Sequence, residues 1–284
     1  MSLVLKSPCK INLLLNVLGQ RKDGFHDIES IMQPLSLHDV LQIESAGKCV
    51  ELTCSDPRLS VGGDNLVHRA ASEFLKLTDS GGVRIHLQKN LPLAAGIGAG
   101  SSNAATTLLG LNELFNHPLN SREIHALAAC LGSDVPFFLQ GGPALVMGRG
   151  DRVEILKPFG VLEGCGMLLV HPGFGVSTPW AYQRLTDISE PFGTRGLAKR
   201  MIESMIEGKL GGLCNSLERV VFPKYAVLPI IKEFFTVKGA LVTLMSGSGS
   251  TIFAITENRA SAESLRMEYH DQFGQAGWSA TVVL

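Results

Sequence analysis

An α/β (α+β) protein of two domains is expected from this sequence, for three reasons. Strand-like and helix-like patterns are mixed in both halves of the chain. A run of small residues from Pro92 to Ser102 joins a strand pattern to a helix pattern. At 284 residues the chain is long enough for two hydrophobic cores. The turn-dense stretch Gly141-Gly142-Pro143 to Asp151 suggests a boundary, giving domains over 1–152 and 153–284.

The elements follow in order. Residues 1–20 alternate as a strand, and the polar turn Gly19 to His26 leads into the apolar segment Ile28–Leu37, a hairpin-like opening. Asp64-Asn65 precedes a helix through Leu77. Val83, Ile85 and Leu87 alternate with Arg84, His86 and Gln88, the period of a strand with one buried face. After the small-residue run, Ala104–Phe115 is a good helix former that stops before Pro118. Asn120 and Glu123 have capping-box spacing for a helix ending at Gly132. In the second half, Met167–Val170 reads as a strand followed by the turn His171–Gly175, and helical patterns occupy 195–208 and 226–236. Ala240–Leu244 and Ile252–Thr256 flank the turn Met245-Ser-Gly-Ser-Gly-Ser-Thr251, and a helix over 260–273 leads to a terminal strand.

Composition excludes several classes of function. Apolar residues make up 45% of the chain, charged residues 18%, and the net charge is −1, so there is no basic field for nucleic acid or an anionic membrane. A small-molecule partner is expected. No apolar run approaches the roughly 20 residues of a membrane span, and the first residues lack the features of a signal or transit peptide. Six cysteines, at 9, 49, 54, 130, 165 and 214, show neither CxxC pairs nor zinc spacing. They read as reduced, mostly buried thiols in a cytoplasmic protein, either a monomer or a homodimer.

The small-residue run is the most chemical segment. Gly96, Gly98 and Gly100 let successive N–H groups turn toward one point, and the following helix adds unpaired donors and the positive end of its dipole. The chemistry is that of a phosphate cradle. Ser101 and Ser102 can cap the helix or turn a hydroxyl to a phosphate oxygen or its metal. A Walker A loop is excluded because Ser101, not Lys, follows Gly100, and a dinucleotide fingerprint because Ser101 replaces its third glycine.

Two further motifs stand far from this loop. Lys10 and Asn12 share one face of the first strand while Ile11 and Leu13 point the other way, which alone suits either a solvated face or a site. Ser246–Ser250 alone suits any Gly/Ser turn. Taken together, Pro-x-Lys-Ile-Asn near the start, the loop ending Gly-Ser-Ser-Asn-Ala-Ala, and the late Ser-Gly-Ser-Gly resemble the three-motif layout of the GHMP small-molecule kinases. Gln20-Arg-Lys-Asp-Gly-Phe-His26, Asp64-Asn-Leu and Gly132-Ser-Asp-Val-Pro136 extend the resemblance over nearly the whole chain, toward the branch acting on a cytidine-diphosphate-linked methylerythritol.

That resemblance implies a two-domain fold with its site in the inter-domain cleft, and ATP-dependent phosphorylation of the substrate's 2-hydroxyl in non-mevalonate isoprenoid synthesis. Asp134 would be the general base and Lys10 would hold base and substrate by charge. Asn12 would position the reacting groups. Pro92, Leu93, Ala94, Ala95, Gly96, Ile97, Gly98, Ala99, Gly100, Ser101 and Ser102 would wrap the ATP phosphates, with Asn65 and Lys89 at the adenosine end. His26 would hydrogen-bond cytosine, Phe25 would stack on it, and Thr178 and Pro179 would lie beside the same nucleoside. Gly247, Ser248 and Gly249 would close around the diphosphate and the transferred phosphate. Mg²⁺ would be held by ATP, water and Ser102.

The chain departs from the family pattern at three places. Ala94, Ala95 and Ala99 stand where glycine is common, so the backbone there is expected to avoid positive φ. Phe25 replaces a tyrosine. No second acidic residue presents itself for the metal. The alternatives are a homoserine or mevalonate kinase of the same superfamily, or a non-catalytic regulator on the same fold.

Overall fold

Two long strands open the chain: β1 (Ser2–Gln20) and β2 (His26–Ser45), paired through the polar turn between them. The computed structural model describes residues 2–188 and 192–284; Met1, at the start of the expected first strand, lies outside them. The described residues group into two compact units, each discontinuous in sequence. One comprises the stretch ending at Cys9, Ser36–Leu91 and Gly98–Gly141; the other comprises Lys10–Leu35, Pro92–Ile97 and Gly142–Leu284. Residues 142–152 therefore group with the C-terminal half of the chain.

In the first unit, β3 (Val50–Cys54) is followed by α1 (Leu66–Thr78), β4 (Val83–Gln88), α2 (Ala99–Leu114) and α3 (Ser121–Leu131). β4 pairs parallel with β3 and antiparallel with the far half of β2, so Ile85 stands opposite both Leu52 and Ile43. The alternation seen in the sequence holds, with Val83, Ile85 and Leu87 all buried. α1 starts at Asn65, whose side chain accepts from Val67 N, and buries Val67, Ala70, Ala71 and Phe74. Phe74 stacks on Phe115 with ring centroids 6.3 Å apart. α2 runs close to the strands: a Cβ on Gly110 would come within 2.4 Å of Leu5 Cδ1 and 2.9 Å of Ile43 Cδ1. At α3 both hydrogen bonds of the expected capping box form, from Glu123 N to Asn120 Oδ1 and from Asn120 N to Glu123 Oε2.

The second unit holds β5 (Ala144–Gly148) and β6 (Arg152–Ile155), then β7 (Gly166–His171), α4 (Thr178–Asp187), α5 (Leu197–Ile206), α6 (Glu218–Lys224), α7 (Val227–Val237), β8 (Val242–Met245), β9 (Ile252–Thr256), α8 (Arg259–Phe273) and β10 (Trp278–Val283). The stretch 141–151, expected as a turn-rich boundary, is half strand: β5 pairs with the near half of β2, and β6 returns along it. Ala144, Val146 and Gly148 are buried there, and this alternation outweighs the flanking glycines. A separate antiparallel sheet runs β10-β7-β9-β8. Every residue of β7 and β9 is buried, so both faces of those strands are covered. Leu168, Val170, Ile252 and Ala254 pack with Leu228, Ile231 and Phe235 of α7 and Leu265 and Tyr269 of α8.

All six cysteines are free thiols, as expected, but only Cys9 and Cys165 are buried. Cys49 and Cys130 are exposed, because they fall in a loop and on the outer face of α3. No described helix is long and apolar enough to cross a membrane.

Candidate active site

Strand periodicity places Lys10 and Asn12 side by side, and burial decides what that face is for. Lys10 is 2% exposed and Asn12 1%, which excludes the solvated-face reading. Lys10 Nζ donates to Asn12 Oδ1 at 2.6 Å, so the amide nitrogen points the other way and donates to Ser30 Oγ at 2.8 Å. Ser30 in turn donates to Leu14 O. A buried ammonium held this firmly has a fixed position rather than a mobile one.

The same lysine meets the glycine loop. Lys10 N donates to Ile97 O at 2.9 Å, and Nζ lies 3.5 Å from Gly96 O. Ser246 Oγ donates to that same carbonyl at 3.0 Å, and Thr251 N donates to Ala95 O. Glycine is required at this crossing. A Cβ on Gly96, whose φ is +76°, would lie 2.2 Å from Ser246 O. Residues from the start, middle and end of the chain thus converge on one peptide group. Gly247, Ser248 and Gly249 are buried in the same turn.

Two residues missed by sequence reasoning hold that turn. Asn215 donates both amide protons, to Met245 O and to Gly247 O, each at 2.7 Å, and Glu218 Oε1 accepts from Met245 N while Oε2 takes Lys232. Asn215 Oδ1 also accepts locally from Leu217 N, but the bonds that hold the turn reach partners about 30 positions away, which no local pattern marks.

The loop corrects two expectations. Ala94 takes φ +50° despite its Cβ, so positive φ was not avoided there; the left-handed region costs alanine roughly 1 kcal/mol, which tertiary contacts can outweigh. α2 begins at Ala99, with Gly98 as its N-cap at φ +70° and no side-chain cap, so Ser101 and Ser102 lie inside the first turn and cap nothing. Ser102 is fully buried, with Oγ 2.8 Å from Ser7 Oγ. Pro92 and Leu93 are half-buried, Ala95 and Ile97 buried, and Gly100 exposed.

In the first unit, Asp134 occupies the turn before Pro136 and is half-buried. Asn65 Nδ2 donates to Ser60 O while Oδ1 caps α1, which engages the whole amide in local structure. Lys89 Nζ is paired with Asp39, the two side chains 4% and 0% exposed.

The turn before β2 is shaped to display one ring. Arg21 N donates to Phe25 O, Gly24 N to Arg21 O, and Arg21 pairs with Asp23 and Asp27. Phe25 is left 49% exposed, with the Arg149 guanidinium 5.4 Å from its ring centroid. His26, next along, is buried. Its Nε2 lies 2.9 Å from Thr186 Oγ1, and Thr186 donates its own proton to Tyr182 O at 3.3 Å. That leaves Thr186 to accept, which assigns the imidazole proton to Nε2 and leaves Nδ1 as an acceptor. Burial pushes the His26 pKa below its ordinary value. Thr178 and Pro179 form the exposed first turn of α4, with Thr178 Oγ1 2.7 Å from Ser248 Oγ. Arg149, Thr186 and Tyr182 carried no sequence signal.

A divalent metal finds little protein support. Among the described residues no three His, Cys, Asp or Glu side chains group as a metal site. Ser102, the side chain that the resemblance names for Mg²⁺, is fully buried with its Oγ 2.8 Å from Ser7 Oγ.

A glycine loop and Gly/Ser turn locked together beside a buried lysine define the class of GHMP small-molecule kinases. Residues 65–142 match the family GHMP kinases N terminal domain and residues 196–275 match GHMP kinases C terminal. Among curated proteins, the 4-diphosphocytidyl-2-C-methyl-D-erythritol kinase of Syntrophus aciditrophicus is 41% identical, covering 90% of this chain and 91% of its own. The enzyme of that name from Pelobacter propionicus is 38% identical over 99% and 98%. A crystal structure of 4-(cytidine 5'-diphospho)-2C-methyl-D-erythritol kinase superposes with a TM-score of 0.81 at 33% identity, over 99% of this chain and 100% of that one. A homoserine kinase from Cytophaga hutchinsonii, 20% identical with a TM-score of 0.72 over 99% and 95%, shares the fold. The chain belongs to the 4-diphosphocytidyl-2-C-methyl-D-erythritol kinase family of GHMP kinases.

Proposed function

We propose that the protein transfers the γ-phosphoryl group of ATP to the 2-hydroxyl of 4-diphosphocytidyl-2-C-methyl-D-erythritol, giving the 2-phosphate and ADP, in non-mevalonate isoprenoid precursor synthesis. The meeting of Lys10 Nζ and Ser246 Oγ on the Gly96 carbonyl carries this reading, because it puts a fixed cation against a phosphate-type loop.

Phosphoryl transfer passes through a loose transition state and asks the protein for alignment and charge stabilisation. Asp134 orients the substrate hydroxyl and accepts its proton as the new P–O bond forms and the bond to ADP breaks. Lys10, steered by Asn12, supplies positive charge to the transferring group. The Pro92–Ser102 segment and the start of α2 offer backbone N–H donors to the ATP phosphates. Asn65 and Lys89 serve the adenosine end through the segments they hold, since their polar atoms are engaged with Ser60, Val67 and Asp39. Phe25 gives a stacking face for cytosine, His26 Nδ1 accepts from its amino group, and Thr178 and Pro179 flank the nucleoside. Gly247, Ser248 and Gly249 surround the diphosphate. Mg²⁺ is assigned to the oxygens of ATP itself, and the protein works in the cytoplasm.

A coupled assay of ADP release tests this directly. Turnover is expected with the cytidine-diphosphate substrate and not with homoserine or mevalonate. Equal turnover with either would overturn the substrate, and binding of both ligands without product would favour a regulator.

A further inference from the structure

A buried carboxylate that the phosphoryl-transfer chemistry does not use sits at the root of the glycine loop. Asp39, on β2, is fully buried and accepts four hydrogen bonds. Its Oδ1 takes Asn90 N at 2.8 Å and Leu91 N at 2.9 Å; its Oδ2 takes Lys89 Nζ and, at 3.1 Å, Asn103 Nδ2. Lys89, Asn90 and Leu91 are the residues immediately before the loop at 92–97, and Asn103 lies in the first turns of α2, immediately after it. One side chain therefore ties down both flanks.

The network continues toward the loop's hydroxyl. Asn103 Oδ1 accepts from Ser7 Oγ at 2.7 Å. Ser7 Oγ also lies 2.8 Å from Ser102 Oγ. Asp39, Asn103, Ser7 and Ser102 form one chain from carboxylate to loop.

We infer that Asp39 is a positioning residue for nucleotide phosphate, setting the separation and orientation of the loop's two ends; this rests on the kinase reading above. A loop rich in Gly and Ala has many shapes of similar energy, and fixing its ends removes most of them before ATP arrives. Asn103 matters as much as Lys89 in this arrangement. An aspartate needed only to neutralise a buried lysine would not reach across to the following helix.

The test compares ATP binding and steady-state kinetics in the full-length protein. In Asp39→Asn, Oδ1 can still accept from Asn90 and Leu91, but the new amide turns donors toward Lys89 and Asn103. The KM for ATP and the Kd for ADP should rise about tenfold or more, the scale of one lost charge-assisted hydrogen bond, while the KM for the alcohol substrate stays within about twofold. Adding Lys89→Met removes the stranded cation, so thermal stability should recover. A purely structural role would raise the KM of both substrates together in Asp39→Asn, and that result is overturning. Ser7→Ala, which touches neither charge, should raise the ATP KM about threefold by freeing Asn103, and it decides the matter if Asp39→Asn does not fold. An unchanged ATP KM in the foldable variants, or equal rises for both substrates, overturns the proposal alone. Failure of the unmodified protein to bind ATP overturns it together with the kinase reading.

Discussion

Lys10 Nζ stands 2.6 Å from Asn12 Oδ1 in a site where both residues are almost wholly buried. Two residues on one strand face thereby act as a single unit, a cation and the group that aims it. Lys10→Met should lower kcat about 10²- to 10³-fold, the range for removing one preorganised charge from a phosphoryl-transfer site. Asn12→Ala, which keeps the charge but removes the amide that helps aim it, should cost less, and the KM for ATP should change little in either. Steady-state kinetics check this; equal effects of the two substitutions would mean that aim matters as much as charge.

Asp134→Asn should lower kcat about 10²- to 10⁴-fold, as for loss of a general base, with ADP binding measured by calorimetry unchanged. Retained turnover would assign the proton to another acceptor.

The three glycines of the loop should not behave alike. Gly96→Ala drives a Cβ to within 2.2 Å of the Ser246 carbonyl at a positive φ, so it should abolish activity and lower the melting temperature. Gly100 is helical, and a Cβ there meets only Leu66 Cδ1 at an ordinary 3.7 Å. Gly100→Ala should fold at least as stably, by up to about 1 kcal/mol from helix propensity. A Gly100→Ala protein less stable than Gly96→Ala would contradict the assignment.

Substrate discrimination should reside in the displayed ring and its buried neighbour. Phe25→Ala should raise the KM for the cytidine substrate about 10- to 100-fold, the scale of one lost base stack, and leave the ATP KM alone; Phe25→Tyr should be near neutral. An acceptor at His26 Nδ1 would face the O4 acceptor of a uridine analogue, so that analogue should be used about tenfold less well or worse. Equal kcat/KM for the two nucleosides would mean that His26 Nδ1 does not read the base, and a preference for the uridine analogue would place the imidazole proton on Nδ1.

Stability should fall on mild acidification. Burial lowers the pKa of both His26 and His171 from the usual 6.5. The unfolded chain then takes up protons before the folded one as pH drops, so stability is complete above 6.5 and is lost as pH falls through the folded values. The urea midpoint should be lower at pH 5.5 than at pH 7.5, and a His26→Gln/His171→Gln variant should show a flatter profile. An identical slope in that variant would trace the effect to other groups.

Local features were legible and tertiary ones were not. The cap at Asn65, the box at Asn120 and Glu123, and the alternation of Val83, Ile85 and Leu87 depend on neighbours a few residues away, and each formed as read. α4 and α6 were hidden because both are short segments whose helicity comes from packing; Pro179 stands in the first turn of α4, where it suits a helix start, and Pro223 lies inside α6. The start of α2 was misplaced because Gly98 and Gly100 mask a helix that the buried Ala99, Ser102 and Asn103 stabilise from outside. Motif residues such as Lys10 and Gly96 could be nominated from spacing. Asn215, Glu218, Arg149 and Asp39 could not, because each acts on a partner distant in sequence.

The discontinuous make-up of the two units limits how this protein can be cut or recombined. A fragment beginning at Gly142 would lack Lys10–Leu35 and Pro92–Ile97, hence the strand that β5 pairs with and the carbonyl that Ser246 binds. A fragment ending at Gly141 would carry those segments with nothing to receive them. A fusion point or cut between Gly141 and Gly142 therefore leaves the first unit whole and divides the second, whose pieces lie on both sides of it.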